Sequence, residues 1–419
     1  MIVQDLLGWF ALAIIISGTL LFSKKYPHAK NFLLIALFLR SVCVIFDHYF
    51  TPLPDSLGDA SAFEKKAYFY SENYGLNIFT VSIFQDSSYF ISKFISIFYT
   101  LLERSPLLAK MLSVGFGTGS VLLIYNLAFI IWDKKIALKA GWIAAIFPSF
   151  ILYSSLILRE VYVVFFLTYA LIGCMKFISK ENFISLIQAT LGFLMAGLFH
   201  GPIFLGLFVF LSIVCLKTIK ENNFFIRFKK KNLYYIFLLP LFLIPIISYF
   251  LGNYAIPKLG NFKDFSIKNE NNKIISTTLE KKIIWKINKA TRASNDNPLG
   301  ASFPKWTIPN DSKEIVFLVP IRMLYFLYSP FPWDIKKTIH IIGLIDALFY
   351  VYITYCIIRN KKKLFNNHQT IILIAILFSY VFIYSFGVGN FGTGIRHRIK
   401  FIGILIVLAG QKIPKFKIT

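Results

Sequence analysis

The sequence predicts an all-α, polytopic membrane protein: a helix bundle of about 11–12 transmembrane helices plus one re-entrant or interfacial segment, with two large external loops. Three observations predict it. Hydrophobic residues make up 57% of the 419 positions and charged residues only 16%, against roughly 45–50% and about 25% in soluble domains. Apolar runs of about 20 residues, enough to cross a bilayer core of about 30 Å, recur along the whole chain. Short basic clusters punctuate these runs in a pattern that places all of them on one side.

The expected spans are 6–23, 31–47, 107–132, 138–156, 160–176, 183–199, 201–217, 232–250, 338–358, 369–387 and 398–411. The first lacks a basic leader and a small-residue cleavage site, so it reads as a retained span. Segment 316–330 carries Pro320 and ends in Ser-Pro-Phe-Pro-Trp. Counting it as a full crossing would move Lys361–Lys363 to the outer side, so it reads as a re-entrant or interfacial half-helix, with a twelfth crossing left open. The domain organisation follows: an N-terminal bundle over 1–250 carrying external loop 48–106, a large external loop over 251–315, and a C-terminal part over 316–419. Within loop 48–106, Tyr89–Leu102 is amphipathic with Lys93 nearly alone on its polar face, which suits a helix lying along the interface.

The formal net charge is +25, a value that in a soluble protein would point to nucleic acid. Six clusters between spans (24–30, 133–139, 176–182, 217–231, 359–363 and 412–417) carry +18 of it. The positive-inside rule places them in the cytoplasm, with the N-terminus outside and the C-terminus inside. The basicity is therefore topology signal and attraction to anionic lipid, and nucleic acid is excluded as a partner. Cys43, Cys174, Cys215 and Cys356 fall in apolar segments without metal-ligand spacing and read as small core residues. No zinc, Walker or dinucleotide fingerprint occurs. Gly115–Gly119 (Gly-Phe-Gly-Thr-Gly) lies inside a span and reads as close helix packing.

Charge at or in the bilayer is expensive and marks candidate sites. Asp59 and Glu64, in Gly58-Asp59-Ala60-Ser61-Ala62-Phe63-Glu64, are the candidate catalytic carboxylates, as base for an attacking hydroxyl; an ordinary helix cap at Asp59 is the other reading. Arg159 and Glu160, at the outer junction of two spans, form either a phosphate-binding pair or a local ion pair. Gly389–Arg398 (Gly-Asn-Phe-Gly-Thr-Gly-Ile-Arg-His-Arg) gathers Arg396, His397 and Arg398 behind three glycines, which suits an anion at a helix start or a solvated interfacial loop. His200 reads as a polar cap in a tight turn or a site residue. Arg322 in the half-helix either reaches the site or snorkels. Arg40, inside the second span, needs a partner, for which Asp47 is the nearest candidate. No metal ligand set stands out and no cofactor is fixed, although a divalent metal stays open.

Such a set of external carboxylates, arginines and a histidine on a membrane scaffold fits a lipid phosphate. Gly58-Asp59-Ala60 with Phe63, the amphipathic helix, the span ending Ile-Tyr-Asn-Leu-Ala (124–128) and the stretch 140–155 resemble the C-type membrane glycosyltransferases. In those enzymes an acidic residue of the first external loop is the catalytic base, a role the resemblance carries to Asp59. Ser-Pro-Phe-Pro-Trp (329–333) and Gly-Thr-Gly-Ile-Arg-His-Arg (392–398) look more like bacterial O-antigen or capsule polymerases, which engage carrier-linked glycans through external arginines. Both resemblances imply glycosyl transfer from a polyprenyl-phosphate- or pyrophosphate-linked saccharide at the outer face of the bacterial inner membrane. The bilayer and other polysaccharide-assembly proteins are the further partners they imply. A transporter or flippase of lipid-linked sugar is the alternative class.

Overall fold

Helix starts follow from capping residues in the sequence. Ser105 precedes Pro106, which lacks an N–H that the first helical turn could not have used, and the Ser105 hydroxyl accepts from Leu108 N at 3.1 Å. Asp133 accepts from Ile136 N at 2.8 Å and Asn182 from Ile184 N at 3.0 Å, starting the next two capped helices. The computed structural model describes residues 2–78, 87–180, 182–220, 266–268, 274–276, 284, 287–288, 291, 300–310 and 312–414. Apart from turns and connecting stretches they are helical, with one antiparallel pair, Ser266–Lys268 with Ile274–Ser276, and one isolated bridge between Ser302 and Asn390.

In chain order the helices are α1 (Ile2–Lys25), α2 (Lys30–Tyr49), α3 (Ser61–Tyr74), α4 (Phe90–Leu102), α5 (Pro106–Ile131), α6 (Lys134–Ile146), α7 (Pro148–Tyr153), α8 (Arg159–Lys180), α9 (Phe183–Phe199) and α10 (Phe204–Lys220). After these come α11 (Ser312–Tyr328), α12 (Thr338–Arg359), α13 (Lys361–Phe365), α14 (His368–Gly387), α15 (Phe391–Arg398) and α16 (Ile402–Ala409). Among the described residues six helical stretches are long and apolar enough to cross a membrane: Gln4–Lys25, Pro27–Tyr49, Pro106–Ile131, Arg159–Lys180, His340–Arg359 and His368–Gly387. The protein is an all-α, multi-pass membrane bundle.

Other expected spans take different forms. Span 183–199 is the 17-residue helix α9. Span 201–217 is represented by an apolar helical stretch over Gly201–Cys215. Span 138–156 is broken into α6 and α7, because Pro148 holds Phe147 in an extended conformation and cannot donate to the preceding turn. Span 398–411 becomes the end of α15, a tight turn over Ile399–Phe401 and α16. The 316–330 half-helix is α11, 17 residues long with Pro320 inside it. Span 232–250 lies outside the described residues.

The chain divides into two units, residues 1–210 with 353–374 and 399–419, and residues 211–352 with 375–398. The units interleave in sequence. In the first unit α5 is central and packs on α1, α2, α6 and α8, while α9 lies along α8. A Cβ on Gly173 would stand 2.5 Å from Ala189 N, and one on Gly192 would stand 2.7 Å from Ala170 Cα. These two glycines let the α8 and α9 backbones touch, the means by which helices associate where lipid removes the hydrophobic drive. The close-packing reading of Gly115–Gly119 holds at Gly117, whose Cβ position is filled by Ser154 and Arg40, and at Gly119, which faces Phe165.

Inside loop 48–106, α3 and α4 pack together. The polar face of α4 is turned inward: Ser92, Lys93 and Ser96 are buried, and Ser92 Oγ donates to Phe63 O at 2.7 Å. Lys93 is thus not the water-facing residue of an interfacial helix. Of the cysteines, Cys174 and Cys356 are buried as expected, but Cys43 is half-buried and Cys215 exposed.

Candidate functional site

The first unit has two chemically distinct ends. Lys24 and Lys25 close α1, and Lys134 Nζ meets His28 Nε2 at 2.5 Å. Lys139 Nζ donates to Ile413 O at 2.6 Å, and Gln369 Nε2 to Ser179 Oγ at 2.7 Å beside Lys180. These contacts draw the basic turns of the unit to one end. At the other, Ser105 Oγ donates to Gln4 O at 2.5 Å and His48 lies 3.2 Å from Asp5. That end carries Asp5, Asp47 and the segment holding Asp59.

Asp47, in the last turn of α2, builds the platform. It accepts from Leu53 N at 2.6 Å and Ser56 Oγ at 2.9 Å, and pairs with Lys110 Nζ at 2.8 Å. Asp55 follows with φ +67°, a left-handed conformation that aspartate tolerates better than most residues, and Tyr153 OH donates to its Oδ2 at 3.1 Å. The chain then makes one wide turn over Ser56–Ala60 with Asp59 exposed. Ala60, not Asp59, is the N-cap of α3, and it makes no side-chain cap. The capping role considered for Asp59 is therefore not the one it plays.

Glu64 is placed differently from Asp59. It is 7% exposed and accepts Arg104 Nε at 2.9 Å, Arg104 Nη2 at 2.8 Å and Tyr99 OH at 3.1 Å. Hydrogen bonding to Glu64 pushes the Arg104 guanidinium further up, and burial with the Glu64 charge pushes the Tyr99 phenol up. Both Glu64 oxygens are engaged, so this carboxylate holds α3 against α4 and the Arg104 turn. Sequence reasoning missed Arg104, although a Glu-Arg pair between two apolar helices was a visible signal.

Arg159 opens α8 on the same end. Its guanidinium lies 6.0 Å from the Phe63 ring, and its buried Nε has no hydrogen-bond acceptor among the described residues. Glu160 does not pair with it. Glu160 is fully buried and faces Lys400 Nζ at 3.4 Å, so the expected local Arg–Glu pair is replaced by one spanning 240 positions of chain. Behind this junction Arg40 is fully buried and donates to Ser154 Oγ at 2.7 Å, Ala145 O at 3.1 Å and Ala144 O at 3.3 Å, with Phe150 4.7 Å away. Its partner is the carbonyl end of α6 and not Asp47, which Lys110 occupies. His200 is 9% exposed and follows α9 in an extended conformation, where its backbone N–H closes the helix.

In the second unit Arg322 is fully buried and donates to Val388 O at 2.6 Å, Ser385 O at 2.9 Å and Thr307 O at 3.2 Å. Arg398, also fully buried, donates to Asp346 Oδ2 at 2.6 Å, Ser329 O at 2.8 Å and Leu327 O at 2.9 Å. These two arginines tie the second unit together through backbone carbonyls and Asp346. Asp346, missed in the sequence, was a lone carboxylate inside an apolar span. The glycine-rich turn also differs from expectation. Asn390 Oδ1 accepts from Thr393 N at 2.7 Å and starts α15, so Arg396, His397 and Arg398 fall in its last turn. There they meet the negative end of the helix dipole, not the anion-binding end. Arg396 and His397 are half-buried, with the His397 ring 5.1 Å from Tyr384.

Among the described residues no group of three or more His, Cys, Asp or Glu comes together that could hold a metal ion. Set against known proteins, the chain matches no family model, no curated protein and no solved structure.

Proposed function

We propose that the protein is an integral membrane glycosyltransferase or polymerase. It transfers a sugar or oligosaccharide from a polyprenyl-phosphate or pyrophosphate carrier at the outer face of the bacterial inner membrane, in the assembly of a surface polysaccharide. The observation that carries this reading is the pairing, on one end of the first unit, of an exposed carboxylate with a cation that retains an open donor. Asp59 stands on a turn anchored through Asp47 and Tyr153, while Phe63, four residues on, lies under Arg159. The basic turns gather at the opposite end, which the positive-inside rule assigns to the cytoplasm.

In the proposed reaction Asp59 takes the proton of an acceptor hydroxyl as its oxygen attacks the anomeric carbon of the donor sugar. The bond from that carbon to the carrier phosphate oxygen breaks, and the leaving phosphate keeps the electron pair. Arg159 stabilises the charge that develops there, and low exposure to water strengthens the interaction. Arg396 and His397 stand as separate candidates for contact with carrier or glycan.

The test is Asp59→Asn in cells carrying the full-length protein. Surface glycan is lost while the protein stays inserted and abundant, and lipid-linked saccharide builds up in the outer leaflet. Normal glycan would overturn the assignment of Asp59. Build-up in the inner leaflet would instead assign the chain to movement of lipid-linked sugar across the membrane.

A further inference from the structure

An apolar groove of about 200 Å³ lies between α1, α2 and α5, lined among others by Gly18, Phe22, Leu33, Gly115, Thr118 and Gly119. Its floor is low because glycines supply it: a Cβ on Gly18 would meet nothing within 4 Å. Two hydroxyls line the groove, and that of Thr19 already donates to Ile15 O at 2.7 Å. Thr118 is 4% exposed, and its hydroxyl makes no hydrogen bond, although a threonine in a helix commonly donates to the carbonyl four residues back. A buried hydroxyl left open in apolar surroundings costs about 1–3 kcal/mol, and an acceptor entering the groove would remove that cost.

The groove leads to positive charge. Gly8 abuts Leu107 and Ile15 lies over Gly115, so α1 and α5 run parallel and Gly18 stands level with Thr118. Lys24 and Lys25 follow Gly18 by six and seven positions, about 10 Å along the helix. With Lys30 and Lys134 they form an exposed basic turn, and the neighbouring carboxylate, Asp133, is engaged in capping α6. A chain in the groove, an acceptor near Thr118 and an anion within reach of the long lysine side chains beyond it match one kind of membrane amphiphile.

We propose that this groove binds one acyl chain of an anionic glycerophospholipid, with its ester carbonyl accepting from Thr118 and its phosphate resting on Lys24, Lys25 and Lys30. The site is independent of the proposed transfer reaction. A polyprenyl phosphate brings the anion but no ester carbonyl, which is why the glycerophospholipid fits better.

The full-length protein is extracted from nanodiscs of phosphatidylcholine containing phosphatidylglycerol as the minor lipid, and retained lipid is read by native mass spectrometry. One phosphatidylglycerol is retained by the unaltered protein. Gly18→Leu, whose Cβ meets nothing within 4 Å, fills the groove and lowers retention about tenfold or more, the loss expected when a chain is kept from apolar surface. Thr118→Val lowers retention less. The triple change Lys24→Gln, Lys25→Gln, Lys30→Gln abolishes the preference over phosphatidylcholine while a chain is still retained. Unchanged retention in Gly18→Leu, or unchanged headgroup preference in the lysine variant, would overturn the site. So would displacement of phosphatidylglycerol by added undecaprenyl phosphate.

Discussion

Arg104 holds Glu64 in a two-pronged grip, Nε to Oε1 at 2.9 Å and Nη2 to Oε2 at 2.8 Å. The two carboxylates first singled out in the sequence, five residues apart, thus have opposite circumstances: Asp59 is exposed and Glu64 is enclosed. Arg104→Ala leaves Glu64 buried with Tyr99 as its remaining hydrogen-bond donor among the described residues and lowers unfolding stability by about 1–2 kcal/mol, moderated by the partial exposure of the arginine. Glu64→Gln shows a loss in the same range. Denaturant unfolding in detergent reads both, and a wild-type midpoint in either variant would remove the structural role given to Glu64.

Arg159 gives the converse result. With no hydrogen-bond acceptor among the described residues, Arg159→Gln shifts stability by no more than about 0.5 kcal/mol. Transfer from lipid-linked donor in reconstituted vesicles falls roughly tenfold to a hundredfold, the scale of one charge-assisted hydrogen bond of about 1.5–3 kcal/mol. Equal losses in stability and transfer would reassign Arg159 to the scaffold.

Asp346 and Arg398 form a pair that tolerates the loss of both members better than of one. Their side chains are 5% and 0% exposed. Asp346→Leu strands a guanidinium in apolar surroundings and costs about 3–5 kcal/mol. Adding Arg398→Met restores part of that loss, so a double-mutant cycle on detergent-solubilised protein gives a coupling of roughly 1–3 kcal/mol. Additive effects would mean that the pair contributes no coupling.

Asp334 sets a pH dependence. Burial pushes its carboxyl up from the ordinary range, more than the Phe331 N–H hydrogen bond at 2.9 Å pulls it down. A folded pKa above the unfolded one favours the folded state below the unfolded value, and that contribution is lost as pH rises through the folded pKa. The junction between α11 and α12 therefore loosens as pH rises through the carboxylate range. Trp333 fluorescence follows it, and Asp334→Asn removes the dependence; an unaltered pH profile in that variant would contradict the assignment.

The long apolar helices were legible because length and composition decide what can cross a bilayer. Segment 183–199 reappears as α9 with both ends unchanged. Where a span was misread, a single residue decided the matter: Pro148 divides 138–156, and Asn390 fixes the start of α15 so that its basic residues land at the far end. The charged contacts were not legible, because their partners are distant in sequence. Lys400 answers Glu160, Asp346 answers Arg398, and Lys110 takes the aspartate that proximity suggested for Arg40. Spacing along the chain carries no information about such meetings; the helix packing that makes them does.

Arg40 bears on how the chain enters the membrane. Apart from Ala36 O in its own helix, its acceptors are Ala144 O, Ala145 O and Ser154 Oγ, made more than a hundred residues later in synthesis. The second span thus leaves the ribosome carrying a guanidinium whose lasting partners do not yet exist, at an insertion cost of about 2.5–3.5 kcal/mol. Residues 134–154 are the segment that releases it into lipid. Biogenesis of the N-terminal helices is consequently a concerted event: α2 is retained beside polar surroundings until α6 and α7 arrive, and a chain cut short before residue 144 is held at the insertion machinery.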